Sequence, residues 1–473
     1  MDATIVATAV PSIVADLGGF ALFPWVFSAY LLAQAVTIPI YGRLADLYGR
    51  KPVLLAGTVV FLVGSLVCAL AWNMVALIVF RALQGIGAGA IQPITQTVVG
   101  DLYSVAERGR VAGWFSSVWG VSAVAAPALG GAFAEYVSWR LIFWINLPVG
   151  AAALLMVGIY LREQVVRRRH RIDVAGALLL VLGTGVLMFV LLQGGTRWGW
   201  ASAPSAVLFA VVAVAVAAFV WWERRAADPV LPPWVYGHRV LAGANLGNGA
   251  VGVLSIGLTS FLPTFAQGVL GASAVAAGVT LAFMSIGWTL AAANSARLYL
   301  RLGFRDTTLL GLGFALASAV MLSLTAEDAS LAYLGVASFV MGLGMGLTAT
   351  SMLVGAQSVI GWGRRGVVTG SAMFARMIGM ALGASLYGAI ANSTLAAWFA
   401  AAPRALRGRL PGGLDEASRA LSGGSHRLDP AAAAYVREGL FHAGRWVFVG
   451  LVVLAVLALL AVAIAPRRFE PLE

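Results

Sequence analysis

Gly42–Pro52 reads GRLADLYGRKP, a charged, glycine-punctuated stretch between two long apolar runs. Read as a loop, it has Gly42 and Gly49 permitting tight turns that a side chain would hinder. Pro52 suits the first position of the helix that follows. Asp46 has Arg43, Arg50 and Lys51 within reach as partners. The apolar flanks place this pairing at a membrane surface rather than on a soluble domain.

The whole chain agrees with that placement. Of its 473 residues, 60% are hydrophobic and 11% charged, with mean hydropathy +0.90, where a soluble domain carries about 25% charged residues. The net charge of +12 comes from arginines and a single lysine, Lys51. They lie in inter-helix loops, not in one basic patch interleaved with aromatics, so nucleic acid is not an expected partner. Cys68, the single cysteine, excludes an internal disulfide. The four histidines (170, 238, 426 and 442) sit in loops or near helix ends, and no metal site or cofactor is expected.

A spanning helix needs about 20 apolar residues. Fourteen runs qualify: 1–17, 23–42, 52–71, 74–99, 109–133, 141–161, 174–194, 204–222, 241–262, 274–296, 307–325, 330–355, 366–391 and 444–465. They are too long and unbroken for barrel strands, which would be about ten residues and alternating. The expected class is an all-α polytopic membrane protein with the lipid bilayer as solvent. Arginine is concentrated in alternate short loops, which makes those loops cytoplasmic. Both termini then face the cytoplasm, and the segment 392–444 is an external loop.

The chain repeats itself. Gly85-x-Gly87-x-Gly89 recurs as Gly342-x-Gly344-x-Gly346, and Arg108-Gly109-x-Val111-x-Gly113 recurs as Arg365-Gly366-x-Val368-x-Gly370, both at an offset of 257 residues. ARLYLRLG at 296–303 is a decayed copy of GRLADLYG at 42–49. An offset of eight helices implies a six-helix half over 1–161 and a second over 241–473. Between them, 162–240 holds an extra helix pair with basic linkers.

These motifs resemble the major facilitator superfamily. GRLADLYGRK is similar to its helix 2–3 loop, G-x-L-a-D-r-x-G-r-k, and RALQGIGAGA from Arg81 resembles its helix 4 motif, in which the arginine is tied to proton coupling. A mid-membrane arginine costs about 2.5–3.5 kcal/mol, so Arg81 is expected either to face the interior with a partner or to snorkel to an interface. Ser122, Ala126, Pro127, Gly130 and Gly131 resemble the antiporter motif g-x-x-x-G-P-x-x-G-G, with Ser122 and Ala126 replacing its first two glycines. The alternative for these small residues is ordinary close helix packing. SWRLIFWINLPVG (138–150) and MDATIVATAVPSI (1–13) resemble the fourteen-helix drug:proton antiporters of that superfamily. The resemblance implies the major facilitator fold, two six-helix halves plus a central pair.

In the family pattern the acid matching Asp2 lies inside helix 1, where it binds a proton. Here only Met1 precedes it. Residues 3–17 span about 22 Å at 1.5 Å per residue, short of a hydrocarbon core about 30 Å thick. Either helix 1 is stunted, with Asp2 solvated near the N-terminus, or the helix continues upstream of Met1.

The resemblance implies a proton-coupled secondary transporter that exports small amphipathic compounds across a bacterial cytoplasmic membrane. It would act as a monomer, with protons and a small-molecule substrate as its partners. Transport of an endogenous metabolite or lipid is the alternative. A polytopic enzyme would need clustered His, Asp or Glu at a membrane face, which the spans lack, and no nucleotide-binding loop is present. Asp46, Arg50 and Asp101 are expected to form a latch on the cytoplasmic side. The candidate cavity residues are Tyr30, Gln34, Gln92, Trp119 and Asn146 in the first half. In the second half they are Asn245, Asn248, Met284 and Trp288, together with the charge of Arg376. With at most one carboxylate available, the expected substrates are neutral, zwitterionic or singly charged, and dications are handled poorly.

Overall fold

A computed structural model describes residues 5–6, 10–17, 24–163, 173–194, 198–227, 229–403, 406 and 430–463. Among these residues the secondary structure is helices joined by short connections, with one isolated bridge between Gly194 and Trp198. The helices are α1 (Val10–Leu17), α2 (Pro24–Tyr48), α3 (Arg50–Ala69), α4 (Met74–Leu102), α5 (Val105–Tyr136), α6 (Leu141–Tyr160) and α7 (Val174–Gln193). They continue as α8 (Ala203–Glu223), α9 (Arg239–Gly268), α10 (Ala274–Leu302), α11 (Phe304–Ser323), α12 (Leu331–Ser358), α13 (Arg365–Ala400) and α14 (Pro430–Ala463). Twelve helices among the described residues are long and apolar enough to cross a membrane, and α5, with 32 residues, has the length to do so. Asp2 lies outside the described residues, as do residues 1, 3–4 and 7–9 of the first expected span.

Polar side chains at the helix starts accept the amides that have no partner within the helix. Asn73 caps α4 through the Ala76 N–H (2.8 Å) and Asp173 caps α7 through the Gly176 N–H (2.8 Å). Ser104 and Glu107 form a capping box on α5. Between α2 and α3 the chain turns at Gly49, with φ 98°, and between α10 and α11 it turns at Gly303, with φ 87°. Both occupy the left-handed side that glycine adopts without a steric cost.

The stretch 42–48 is therefore helical, the last two turns of α2, and not a loop. Gly42 makes no turn. It sits where α2 crosses α13, and a Cβ there would stand 2.6 Å from the Gly366 carbonyl oxygen. Pro52 is the third residue of α3 rather than its first, still within the first turn, where a missing N–H costs no intrahelical bond. A second correction concerns 392–444. α13 continues to Ala400 and α14 begins at Pro430, because STLAAWFA and PAAAAYVREG are rich in strong helix formers. Trp398 stacks on Tyr435 there (5.3 Å), and the Tyr435 hydroxyl donates to the Trp398 carbonyl (2.8 Å).

Packing follows the repeat. α4 lies against α2 and α3, as α12 lies against α10 and α11, and α2 crosses α13 as α10 crosses α5. α7 and α8 pack on each other, and α7 rests on α2 and α13. The outward surface is apolar, with Val149, Leu155, Ile159, Val214 and Leu460 all exposed. Many small polar groups, among them Ser65, Thr97, Ser295 and Thr369, are buried. This inverts the pattern of a water-soluble protein and suits a lipid surround.

Candidate functional site

At the arginine-rich end the two sets of helices, α1–α6 and α9–α14, are tied together by one charged cluster. The Asp46 carboxylate, on the last turn of α2, accepts from the backbone N–H groups of Gly366 and Val367, both at 2.8 Å. These are the second and third amides of α13, so an anion caps a helix N-terminus across the interface. Arg50 completes the pair at 3.0 Å, with both side chains almost wholly buried. Its Nε donates to Asp101 at the end of α4 (2.9 Å), and its guanidinium lies 3.8 Å from the Trp362 ring centre.

Asp101 is shared. Arg365, the first residue of α13, donates to it (3.0 Å) and to the Gly100 carbonyl (2.9 Å). Arg108, the repeat counterpart of Arg365, donates to the same carbonyl (2.6 Å). Gln357 of α12 donates to the Gln96 carbonyl of α4 (3.3 Å) and to the Thr369 hydroxyl (2.9 Å). The start of α3 is capped separately: Glu163, just beyond α6, accepts from the N–H groups of Arg50 (2.8 Å) and Lys51 (2.9 Å). Lys51 Nζ donates to the Gly158 carbonyl (2.7 Å).

Above this cluster lies a cavity of about 320 Å³. α4 and α5 supply one wall, with Gln92, Gln96, Arg108 and Phe115. α9, α10, α12 and α13 supply the other, with Asn248, Met284, Trp288, Thr350 and Arg376. Weakly polar amides and hydroxyls alternate with aromatic and thioether surface, the lining expected of a site for amphipathic small molecules. Arg376 lies with its guanidinium 4.9 Å from the Trp288 ring centre.

A model of the Major Facilitator Superfamily matches residues 1–384. The chain belongs to that superfamily. It is therefore a multi-pass membrane transporter and not an enzyme. Multidrug resistance protein 3 of Bacillus subtilis (strain 168) is 37% identical over 390 residues, covering 82% of this chain and 76% of that protein. Multidrug transporter protein MdtP of the same strain is 34% identical over 395 residues, 83% of this chain and 73% of that one. Efflux pump dotC of Dothistroma septosporum (strain NZE10 / CBS 128990) is 37% identical over 304 residues, 62% and 52% of the two chains. The human organic anion transporter MFSD10 shares the fold, with TM-score 0.60 at 16% identity, over 93% of this chain and 83% of that one.

Within this major facilitator chain the other residues singled out in the sequence fall into three groups. Gln92, Asn248, Met284, Trp288 and Arg376 line the cavity. Tyr30, Gln34, Asn146 and Asn245 are not among its described lining residues. Tyr30 lies under Arg81, with its ring centre 4.1 Å from the guanidinium carbon. Asn146 donates to the Ser65 hydroxyl (3.0 Å), and Asn245 is buried.

Arg81 faces the bundle interior and does not snorkel. It is wholly buried, donating to Gln84 Oε1 (2.6 Å) and to the Val26 carbonyl (3.2 Å). α5 runs without a break through the antiporter-like segment, where Ser122 is half-buried. The side chains of Trp119, Ala126, Pro127, Gly130 and Gly131 lie outside the described residues. Sequence reasoning missed Gln96, Phe115, Thr350, Gln357, Glu163 and the amides of Gly366 and Val367. Of these, Arg365-Gly366 was visible as a repeat of Arg108-Gly109, and Glu163 as an acid beside a basic run.

Proposed function

We propose that this protein is a proton-coupled exporter of small amphipathic compounds, drugs or antibiotics among them, acting by alternating access in a bacterial cytoplasmic membrane. The observation that carries the proposal is the cavity between the two helix sets, sealed at one end by the Asp46–Arg50–Asp101–Arg365 cluster. A seal made of ion pairs and a helix cap can be broken and remade without disturbing the apolar packing of either set. The units that move against each other are 1–161 and 241–473, with 162–240 riding as an extra pair. The arginine asymmetry of the loops supports a cytoplasmic seal and cytoplasmic termini. The names of the bacterial and fungal relatives support export of drugs. A single chain encloses the cavity, which supports a monomer.

Protons enter through the resemblance of Asp2 and Arg81 to the coupling residues of related antiporters. In that reading Asp2 exchanges a proton for substrate, and Arg81 favours the charged form of the acid. The experiment is uptake of a compound panel into inverted membrane vesicles under an imposed proton gradient. Uptake that collapses with the gradient is the expected result, and uptake indifferent to it would overturn proton coupling. Labelling of a cysteine at position 168, in the arginine-rich run between the first six helices and the extra pair, in a Cys68→Ala background tests the orientation. Reaction with an impermeant reagent only from the inside is expected.

A further inference from the structure

We infer that the cavity is a binding site for singly charged organic anions, with Arg376 as the residue that selects them. This rests on the reading of the cavity as the substrate site and adds the charge of the substrate to it.

The argument starts from what faces the cavity. Among its described lining residues there are two cations, Arg376 and Arg108, and no carboxylate. The rest of the lining is amide, hydroxyl, thioether, aromatic and aliphatic. Arg376 lies 11 residues into α13, about 16 Å from its start at 1.5 Å per residue, near the middle of a core about 30 Å thick. No described carboxylate forms an ion pair with it. Its guanidinium rests instead near the Trp288 ring, a contact that steadies the cation without neutralising it. Its side chain is one of the cavity's lining groups. A planar fork of N–H donors in a low-dielectric site is suited to a carboxylate or sulfonate, which it can bind through two parallel hydrogen bonds.

Arg108 provides an independent observation. It is 5% exposed and lines the same cavity nearer the charged seal. Its Nε donates to the Tyr103 carbonyl (3.0 Å) and its Nη2 to the Gly100 carbonyl (2.6 Å). Its Nη1 is buried with no hydrogen-bond partner. A buried unmatched donor is costly unless something meets it. Both arginines therefore bias the cavity toward negative charge. Trp288 and Phe115 supply flat apolar surface for an aromatic body. A cationic amphipath entering this space would meet like charge with no carboxylate among the described lining residues to answer it.

The test uses the full chain purified into lipid nanodiscs and three matched probes: 1-naphthylacetate, 2-(1-naphthyl)ethanol and 2-(1-naphthyl)ethylamine. Binding is read by equilibrium dialysis, with empty nanodiscs subtracting partition into lipid. The expected order is acid, then alcohol, then amine, with the acid favoured over the alcohol by about tenfold or more, the scale of one charge-assisted hydrogen-bonded pair. Arg376→Gln should bring acid and alcohol to within about twofold of each other while leaving alcohol affinity within about twofold of wild type, which also reports that the cavity is intact. Arg376→Lys should keep part of the preference, about threefold, because the charge stays while the fork is lost. An amine that binds as tightly as the acid, an Arg376→Gln variant that keeps the full acid preference, or no binding by any probe would each overturn the inference. Equilibrium binding requires neither a gradient nor a direction. The vesicle experiment can therefore fail with the acid preference intact, and the preference can fail with proton-driven export intact.

Discussion

The two places where a helix of one half crosses into the other are built on the same backbone plan and filled with different chemistry. α2 crosses α13 with Gly42 facing Gly366, and α10 crosses α5 with Ala296 facing Gly109. Each incoming helix ends at a positive-φ glycine, Gly49 or Gly303. At the first crossing the link is ionic: buried Asp46 holds the second and third amides of α13 and pairs with Arg50. At the second crossing the position aligned with Asp46 is Leu300, which is exposed. The link there is the neutral Tyr299 hydroxyl, donating to the Val105 carbonyl, with Phe304 stacked on the Tyr299 ring at 4.8 Å. Arg50 and Trp362 make a cation–π contact at the first crossing. The repeat thus keeps the close approach of the helices on both sides and concentrates the charge on one.

That asymmetry predicts unequal responses to mutation. Asp46→Asn should have the largest effect. It leaves Arg50 buried with a weakened counter-charge, and breaking one side of a buried pair costs about 3–5 kcal/mol. Transport into vesicles should fall by more than about tenfold, and a cysteine placed in the seal should become more reactive. A variant retaining half of wild-type transport would remove the ionic crossing from the mechanism. Asp101→Asn comes next. It weakens the links to Arg50 and Arg365 together, but the site is less buried than Asp46, and hydrogen bonds to charged groups are worth about 1.5–3 kcal/mol. A fall of about tenfold is expected, with a shift of the same labelling pattern toward the open seal. If both transport and labelling stay at wild-type values, Asp101 is not part of the switch.

The glycines test the shared plan rather than the difference. Gly366→Ala would press a methyl group onto the Gly42 carbonyl and the Asp46 carboxylate, and Gly109→Ala would press one onto Ala296 and Ser295. Overpacking of this kind costs about 1–3 kcal/mol. The two variants should lose transport severalfold and match each other within about twofold. A large inequality between them would mean that the backbone plan, and not only its chemistry, differs between crossings. Tyr299→Phe should have the smallest effect. It removes one neutral hydrogen bond worth about 1 kcal/mol and keeps the stack on Phe304, so transport should stay within about fivefold of wild type. A loss as deep as that of Asp46→Asn would make the neutral crossing an equal partner and end the comparison.

Half of the charged seal was legible in the sequence. Asp46 and Arg50 flank the same Gly49 turn and Asp101 ends an apolar run on the same side, so their meeting follows from the short connection and the topology. The other half was not. The amides of Gly366 and Val367 have no sequence signature as anion ligands, because any helix start carries them. Arg365 was visible as the copy of Arg108, yet nothing local says that both would reach the Gly100 carbonyl. Reading 42–48 as a loop failed for a related reason. Glycine marks a turn where a helix must end, and it marks a close crossing where a helix must continue, and the residue alone does not distinguish the two.

By itself the sequence determined the all-helical membrane class, the repeated glycine and arginine motifs and the loops in which arginine gathers. Each follows from local needs: a backbone in lipid must satisfy its own hydrogen bonds within one helix, and charge must stay out of the hydrocarbon. The tertiary structure decided which faces turn inward. In water an amphipathic stripe announces the buried face of a helix. In a bilayer the lipid is as apolar as the protein core, so that stripe is erased. Asn146, placed in the cavity on the strength of its polarity, packs against Ser65, while Phe115 and Gln96 line the cavity unannounced. Only the packing of α4, α5, α9, α10, α12 and α13 around a common space separates cavity from lipid and sets Arg376 inside it.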